Sequence, residues 1–328
     1  MNFADRIIEA VKEKNSRVCV GLDPRWERIP ASIREDALSR MGHRPEAAAG
    51  AIVEFNRIII EAVRDKAVAV KPQIAFYELY RRAGIKAFWK TISMASERGL
   101  PVIADVKRGD IGTTAEAYAR TYLPGQSSGG ESLPCEISPA AGENRAAGAD
   151  AVTVNPYLGR DALKPFLKRC RDGKGIFVLV RTSNPSAGEL QSLPLNDDEK
   201  GAGKSDLCRE VARLTADLGG DLRGKHGYSA AGAVVAVTGR EEISSLRRIM
   251  KNNLFLCPGY GAQGGGADDV VPAFNDDGLG AIVTSSRGIN YAREKDHFSD
   301  DPGRAARQAA EKMRTEINQA LTGAGKDV

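Results

Sequence analysis

Eight short apolar runs, most of them rich in β-branched residues, recur along the chain, and each is followed by a segment long enough for a helix. The runs cover residues 17–22, 67–71, 101–106, 150–155, 176–181, 232–238, 254–258 and 279–285. Their apolar residues are consecutive instead of alternating, which is typical of strands in a parallel sheet that is buried on both faces. The pattern therefore predicts eight parallel strands.

Helical patterns separate these strands, most clearly at residues 48–64, 85–98 and 240–251. The first of them places large apolar side chains on one helix face, namely those of Ile52, Phe55, Ile59 and Val63. Eight repeats of strand and helix predict the α/β class and a (β/α)8 TIM barrel. A doubly wound open sheet is the structural alternative, and the strand count favours the barrel.

Two segments exceed this repeat: residues 122–144 are rich in Gly, Ser and Pro, and residues 183–228 are long and polar, with a possible helix near 205–218. Both follow predicted strands or their first helical turns, where barrels build active sites and lids. We interpret both as lid or insert segments. For 122–144, a tolerated surface insertion is favoured over a functional lid. Stretches 124–138 and 193–203 carry no motif with a recognisable role. The barrel interpretation makes residues 1–328 one domain.

Composition narrows the class of protein. Of the 328 residues 42% are hydrophobic, enough for a sizeable core, and the net charge of +4 comes from well-mixed charges without the basic stripe typical of nucleic-acid binders. No apolar run approaches the roughly 20 residues of a membrane span, and the N-terminus lacks a secretory h-region. The five cysteines are scattered, and Cys19 and Cys257 are predicted core residues. These features favour a soluble cytoplasmic protein.

The most informative candidate catalytic residues lie at the end of the predicted strand 101–106 and just after it. Asp105 and Lys107 are two residues apart, so on a strand both point to the same side, and Asp110 follows where the next helix begins. Flanking carboxylates keep a lysine protonated, and such a lysine serves as a general acid and stabilises a carbanion. A salt-bridged strand end followed by a helix capped by Asp110 is an equally good interpretation of this spacing alone.

Other polar residues lie at the carboxyl ends of the predicted strands or soon after them, at the same end of the barrel. They are Asp23, Lys71, Asn155, Thr182 with Ser183, Gln263 and Arg287. The loop 258–266 holds five glycines in eight residues, so its exposed N–H groups can cradle an anion. Loops after strands 7 and 8 form the usual phosphate site of such barrels, and Arg287 can add a forked guanidinium. A flexible turn is the alternative for the glycines.

In series, these motifs resemble the orotidine 5'-phosphate decarboxylase family. The matching pieces are VGLDP (20–24), VKP (70–72) with Phe76 and Glu78, ADVKRGDI (104–111), TSNP (182–185), PGYGAQGG (258–265) and SRG (286–288). They occur in order and span residues 17 to 291. The run TVNPYLG (153–159) is similar to the longer bacterial subgroup, type 2.

The resemblance implies decarboxylation of orotidine 5'-phosphate to UMP, in pyrimidine biosynthesis, with no metal or organic cofactor. Lys107 would deliver the proton to the pyrimidine carbon, Asp105 would sit against the substrate carboxylate, and Lys71 would complete the charged array. The family further implies a homodimer with shared active sites. Asp110 would reach across its interface into the partner's site, accompanied by Ile111 and Thr114.

The resemblance also implies a set of substrate contacts. Asp23 and Lys71 would hold ribose hydroxyls, and Ser183 would bind the pyrimidine amide. Pro258 would line the ring pocket. Gln263 and Arg287 would hold the phosphate.

Two rival functions differ at identifiable positions. Sugar-phosphate decarboxylases and synthases of the same fold share the Asp-x-Lys-x-x-Asp run but use magnesium, with a ligand from the second strand. Lys71 stands at that position here, and an ammonium cannot ligate a cation. A catalytically silent barrel that binds a pyrimidine nucleotide would be expected to lack Asp105 or Lys107, and both are present.

Overall fold

The computed structural model describes residues 1–124, 148–195, 205–237, 239–261, 265–294, 297–298 and 301–326. Its main sheet contains eight strands, and each overlaps one of the eight apolar runs. They are β1 (Val18–Leu22), β2 (Ala69–Pro72), β3 (Ile103–Arg108), β4 (Ala151–Val154), β5 (Gly175–Arg181), β6 (Ser229–Val235), β7 (Asn253–Pro258) and β8 (Ala281–Ser285).

The strands are arranged as a closed barrel. Their order is β2-β1-β8-β7-β6-β5-β4-β3, and every hydrogen-bonded neighbour pair is parallel. Parallel bridges from Val70 to Val102 and from Gln73 to Asp105 then join β2 to β3. The predicted (β/α)8 barrel is confirmed, and the open doubly wound alternative is wrong because the two edge strands of the order meet.

Helices surround the barrel and connect successive strands. Those described are α1 (Phe3–Lys14), α2 (Ala31–Met41), α3 (Pro45–Val63), α4 (Ala75–Glu78), α5 (Arg81–Glu97), α6 (Gly112–Tyr122), α7 (Arg160–Arg171), α8 (Gly188–Gln191), α9 (Leu207–Leu218), α10 (Arg240–Ile249), α11 (Ala267–Val270), α12 (Arg287–Asn290) and α13 (Pro302–Gly323). The patterns at 48–64, 85–98, 205–218 and 240–251 correspond to α3, α5, α9 and α10. No described helix is long and apolar enough to span a membrane.

The core lies inside the barrel and between its strands and the outer helices. All five residues of β1 are buried, as are the four of β2, because both faces of the sheet are covered. The predicted apolar face of α3 is buried at Ile52, Phe55 and Ile59. Cys19 and Cys257 are likewise buried, as predicted.

Helix α1 lies across the amino-terminal end of the barrel. Phe3 packs edge-on against Phe177 of β5, with ring centroids 5.9 Å apart. The buried Asp5 carboxylate accepts the backbone N–H groups of Lys225 and His226, just before β6. Apolar packing and satisfied backbone groups therefore occupy this end, so the polar residues that follow the strands meet at the opposite end.

The two predicted insert segments are described to different extents. Of 122–144, all but residues 122–124 fall outside the described part of the chain. Segment 183–228 is described except for residues 196–204, and it contains α8 and α9. A two-stranded antiparallel pair, Pro194–Leu195 with Ser205–Asp206, lies between these helices. The helix expected near 205–218 begins at Leu207, where the Asp206 side chain accepts the Arg209 N–H.

Candidate active site

An irregularity in β3 positions the central residues. This strand advances from Ala104 to Arg108 while its partner β4 advances only from Val152 to Val154, so β3 carries a bulge. Within the bulge Lys107 has a φ of 46°, the left-handed region that non-glycine residues rarely adopt. Bulges re-aim side chains near active sites. The bulge contains Asp105 and Lys107, the two residues whose side chains were predicted to point to the same side.

Asp105 lies between two lysines. Its Oδ2 is 2.7 Å from Nζ of Lys71, and its Oδ1 is 2.6 Å from Nζ of Lys107. The side chains of Asp105 and Lys71 are 9% and 8% exposed, whereas that of Lys107 is 45% exposed. The Asp105–Lys71 pair is thus mostly buried, and Lys107 is the most exposed of these three side chains.

Mutual attraction keeps the buried pair charged. Burial alone would raise the pKa of Asp105, but the ammonium groups of Lys71 and Lys107 lower that pKa well below its ordinary value. Burial likewise opposes the charge of Lys71, yet the carboxylates of Asp105 and Asp23 raise its pKa above the ordinary lysine value. At neutral pH Asp105 and Lys71 therefore form a charged pair.

Asp23 follows β1 and faces the same cluster. Its Oδ1 is buried and has no hydrogen-bond partner among the described residues. The loop is fixed from behind by Tyr291, whose hydroxyl donates to the carbonyl of Asp23 (2.8 Å) and accepts the N–H of Arg25 (2.6 Å). A buried acceptor without a partner is unfavourable, so this oxygen is suited to a hydroxyl donor from a ligand.

Asp110 stands apart from the four charged residues described so far. Its Oδ1 accepts the N–H of Ile111 (2.8 Å), and within the described chain it forms no ion pair with Lys107. Helix α6 begins at Gly112 with Ile111 as its N-cap, so the interpretation of Asp110 as the cap is wrong. Ile111 is 58% exposed, and Thr114 is also exposed.

The end of β5 is held by a side chain from the insert that follows it. Gln191 of α8 accepts the N–H of Thr182 (3.0 Å) and donates to its hydroxyl (2.7 Å). Ser183, the next residue, is partly buried. The insert therefore fixes the backbone on which the predicted contact to a pyrimidine amide lies.

The glycine loop after β7 folds back on itself. Gly259 and Gly261 have φ values of 107° and 73°, conformations that favour glycine, and the Gly261 N–H donates to the Gly265 carbonyl (2.8 Å). Pro258 is partly buried at the end of β7, and Arg287 is exposed at the start of α12, directly after β8. The prediction for Gln263 falls outside the described residues.

Comparison with known proteins decides the family. A family model described as "Orotidine 5'-phosphate decarboxylase / HUMPS family" matches residues 16–298. The chain belongs to this family. The match covers every motif on which the resemblance was based.

Individual orotidine 5'-phosphate decarboxylases match over nearly their full length. The protein of that name from Rhodopirellula baltica is 41% identical, over 98% of this chain and 100% of its own. The one from Caldicellulosiruptor saccharolyticus is 37% identical over the same shares. The structure of Leishmania donovani OMP decarboxylase superposes with a TM-score of 0.69 at 28% identity, covering 98% of this chain and 99% of its own.

One residue of the site was missed from the sequence. Thr153 of β4 donates its hydroxyl to Oδ1 of Asp105 (3.0 Å) and accepts the N–H groups of Val106 (3.0 Å) and Lys107 (2.9 Å). Thr153 belongs to the TVNPYLG run, which indicated the decarboxylase subgroup. The run did not indicate what the Thr153 hydroxyl bonds, because no motif predicts the bulge that brings the two N–H groups to it.

Proposed function

We propose that this chain decarboxylates orotidine 5'-phosphate to UMP, a step of pyrimidine biosynthesis, as the names of its relatives indicate. The observation that carries the proposal is the position of Asp105, enclosed between Lys71 and the accessible Lys107. A reaction that leaves negative charge on a ring carbon is helped most directly by a preorganised ammonium group beside that carbon.

In the proposed reaction the bond between the pyrimidine carbon and its carboxylate breaks. Carbon dioxide leaves, and the electron pair stays on the ring carbon. The Lys107 ammonium stabilises this pair and donates a proton to it, and the resulting neutral amine regains a proton from water. The reaction needs no metal and no organic cofactor.

Asp105 has a second proposed effect. Its carboxylate would sit against the carboxylate that is expelled, and this repulsion would disappear as carbon dioxide forms. Lys71 keeps Asp105 ionised and oriented, because the pair is enclosed and joined at 2.7 Å. The charges that act on the reacting carbon are therefore already in place before substrate arrives.

Groups distant from the reacting carbon would hold the rest of the substrate. In this proposal Asp23 and Lys71 bind ribose hydroxyls, and the buried Oδ1 of Asp23 supports that assignment. Gln263 and Arg287 bind the phosphate beside the glycine loop. Binding energy from phosphate and ribose can then be used for orientation of the substrate and for closure of the segment that contains α8 and α9.

The pyrimidine ring would be bound between the ends of β5 and β7. Ser183 contacts the ring amide, and Pro258 lines the ring pocket. The two hydrogen bonds between Gln191 and Thr182 support this assignment, because they fix the strand end next to Ser183.

A homodimer with shared active sites completes the proposal. Asp110 forms no ion pair within the described chain, and Ile111 presents an apolar side chain to solvent beside it. An interface that covers Ile111 would bring Asp110, Ile111 and Thr114 into the partner's site. We also infer that residues 1–328 form a single domain. We further infer a cytoplasmic location, which is supported by the four described cysteines, all of them free thiols.

The direct test is an assay of the purified chain with orotidine 5'-phosphate, followed by the loss of its ultraviolet absorbance. We expect turnover that survives EDTA. Lys107→Ala should lower kcat by at least about 100-fold while UMP still binds, since general-acid and electrostatic contributions are of that size. Lys164→Ala, at an exposed lysine of α7, is the matched control and should leave kcat unchanged.

Two results would contradict the proposal. Full activity of Lys107→Ala would remove Lys107 from the chemistry. Turnover that EDTA abolishes and magnesium restores would favour the sugar-phosphate enzymes of the same fold.

A further inference from the structure

Thr153 lies in the middle of β4 and is 1% exposed. Its hydroxyl group forms three hydrogen bonds, all to the bulged segment of β3: one to Oδ1 of Asp105 and two from the N–H groups of Val106 and Lys107. A hydroxyl has one donor and two acceptor lone pairs. The three bonds therefore use the full capacity of this side chain.

The bulge needs such a contact. Because β3 departs from regular pairing with β4 between Ala104 and Arg108, the N–H groups inside the bulge lose their usual strand partners. Lys107 also has a left-handed backbone, which is unfavourable for a residue with a side chain. The Thr153 hydroxyl replaces the missing acceptor for two N–H groups and holds this backbone in place.

We propose that Thr153 is a positioning residue of the decarboxylation site, which fixes Asp105 and the backbone of Lys107 relative to each other through one hydroxyl group. The inference rests on the proposed function, since it concerns the two groups that act at the reacting carbon. Thr153 itself acts only through Asp105 and Lys107.

Removal of the hydroxyl has a defined consequence. A valine side chain has nearly the same shape but removes the acceptor of the buried Val106 N–H and the partly buried Lys107 N–H. The bulge then relaxes, and the Lys107 ammonium moves relative to the reacting carbon. The groups assigned to phosphate and ribose lie on other strands, so binding should change much less than turnover.

The test compares Thr153→Val with Thr153→Ser under steady-state conditions. We expect Thr153→Val to lower kcat by about 10- to 100-fold, the range for a misplaced catalytic group, with KM within about threefold of wild type. Thr153→Ser keeps the hydroxyl and should retain kcat within about threefold. Thr215→Val in α9 is the matched control, because Thr215 is buried and its hydroxyl donates to the Val211 carbonyl, within its own helix; the kcat of this variant should not change.

Several outcomes would overturn the inference. Wild-type kcat in Thr153→Val would do so, as would a loss in Thr153→Ser as large as that in Thr153→Val, which would assign the effect to the methyl group. If Thr153→Val does not fold, Thr153→Ala provides the same comparison, and an unchanged kcat in that variant is decisive against the proposal. A wild-type chain without decarboxylase activity would instead refute the proposed function, so the two failures are distinguishable.

Discussion

Nζ of Lys71 lies 2.7 Å from Oδ2 of Asp105, and both side chains are more than nine-tenths buried. Lys71 comes from β2 and Asp105 from β3, the two strands between which the barrel closes. The ion pair therefore joins the two strands that close the barrel, and it is also part of the candidate active site.

Lys71→Met should affect stability and turnover together. The substitution removes one of the two ammonium groups from an enclosed carboxylate, and we expect the free energy of unfolding to fall by about 3 kcal/mol, as for other broken buried pairs. Urea unfolding measures this change. Arg40→Ala is the control, because its pair with Asp36 is exposed, and its loss of stability should be much smaller. Equal losses in the two variants would contradict the role of burial.

Acid should weaken this cluster in a predictable direction. The pKa of Asp105 is lowered in the folded chain, so the unfolded chain takes up a proton first as the pH falls. The contribution of Asp105 to stability is therefore complete above the ordinary carboxyl pKa of about 4 and is lost below it. Lys71 has a raised pKa, so its contribution is complete below the ordinary lysine pKa of about 10 and is lost at higher pH.

Unfolding titrations of wild type and Asp105→Asn measure this effect. The stability difference between them should be constant from about pH 5 to 9 and shrink as the pH falls towards 3. Asp36→Asn, at an exposed pair, should show a small difference throughout. A difference for Asp105→Asn that grows on acidification would reverse the sign and refute the expectation.

Sharing of active sites can be tested by mixing two inactive variants. If Asp110 serves the partner's site, a dimer of one Lys107→Ala chain and one Asp110→Ala chain has one site with both defects and one intact site. Mixed dimers, purified through two different tags, should regain about half of wild-type activity. A mixed dimer of Lys107→Ala and Lys71→Met is the control, since both residues belong to their own chain's site, and it should stay inactive. Failure of the first mixture to regain activity would place Asp110 outside the partner's site.

Arg247 stabilises the opposite end of the barrel. Its buried guanidinium donates to four main-chain carbonyls at 2.8–2.9 Å, those of Met250, Asn253, Ala273 and Gly280. It also lies 3.5 Å from the ring centroid of Phe255. Burial lowers the pKa of Arg247 to about 10.

Arg247→Ala should therefore reduce the free energy of unfolding by about 3 kcal/mol, because four main-chain carbonyls each lose a buried donor at once. The kcat of the folded protein should not change, because the site lies at the other end of the strands. Thermal unfolding and the absorbance assay measure the two quantities. Arg248→Ala removes the neighbouring exposed arginine and should alter stability by less than about 0.5 kcal/mol. Comparable losses for both variants would argue against the buried contacts.

The sequence was most informative where one physical pattern dominates. Consecutive apolar residues predicted all eight strands, since burial on both faces leaves few polar positions. Positions at the carboxyl ends of the strands then predicted that Lys71, Asp105 and Lys107 would meet, because parallel strands end on the same side of the barrel. Family motifs identified the chemistry that these three side chains suit.

Other features depend on backbone geometry that no motif states. Regular alternation along β3 gave the right common direction for Asp105 and Lys107, but the bulge and the left-handed backbone could not be anticipated. For the same reason the hydroxyl of Thr153 had no visible partner. Helix α6 begins after Ile111, because Asp110 bonds the adjacent N–H instead of one further into the helix.

The backbone of Lys107 has a consequence for how this protein can change. A side chain in the left-handed region is unfavourable by about 1 kcal/mol relative to glycine. Lys107→Gly would remove that strain, but it would also remove the reactive ammonium group. The substitution that makes the chain more stable at this position therefore makes it inactive. Selection for turnover must therefore act continuously against selection for stability at residue 107.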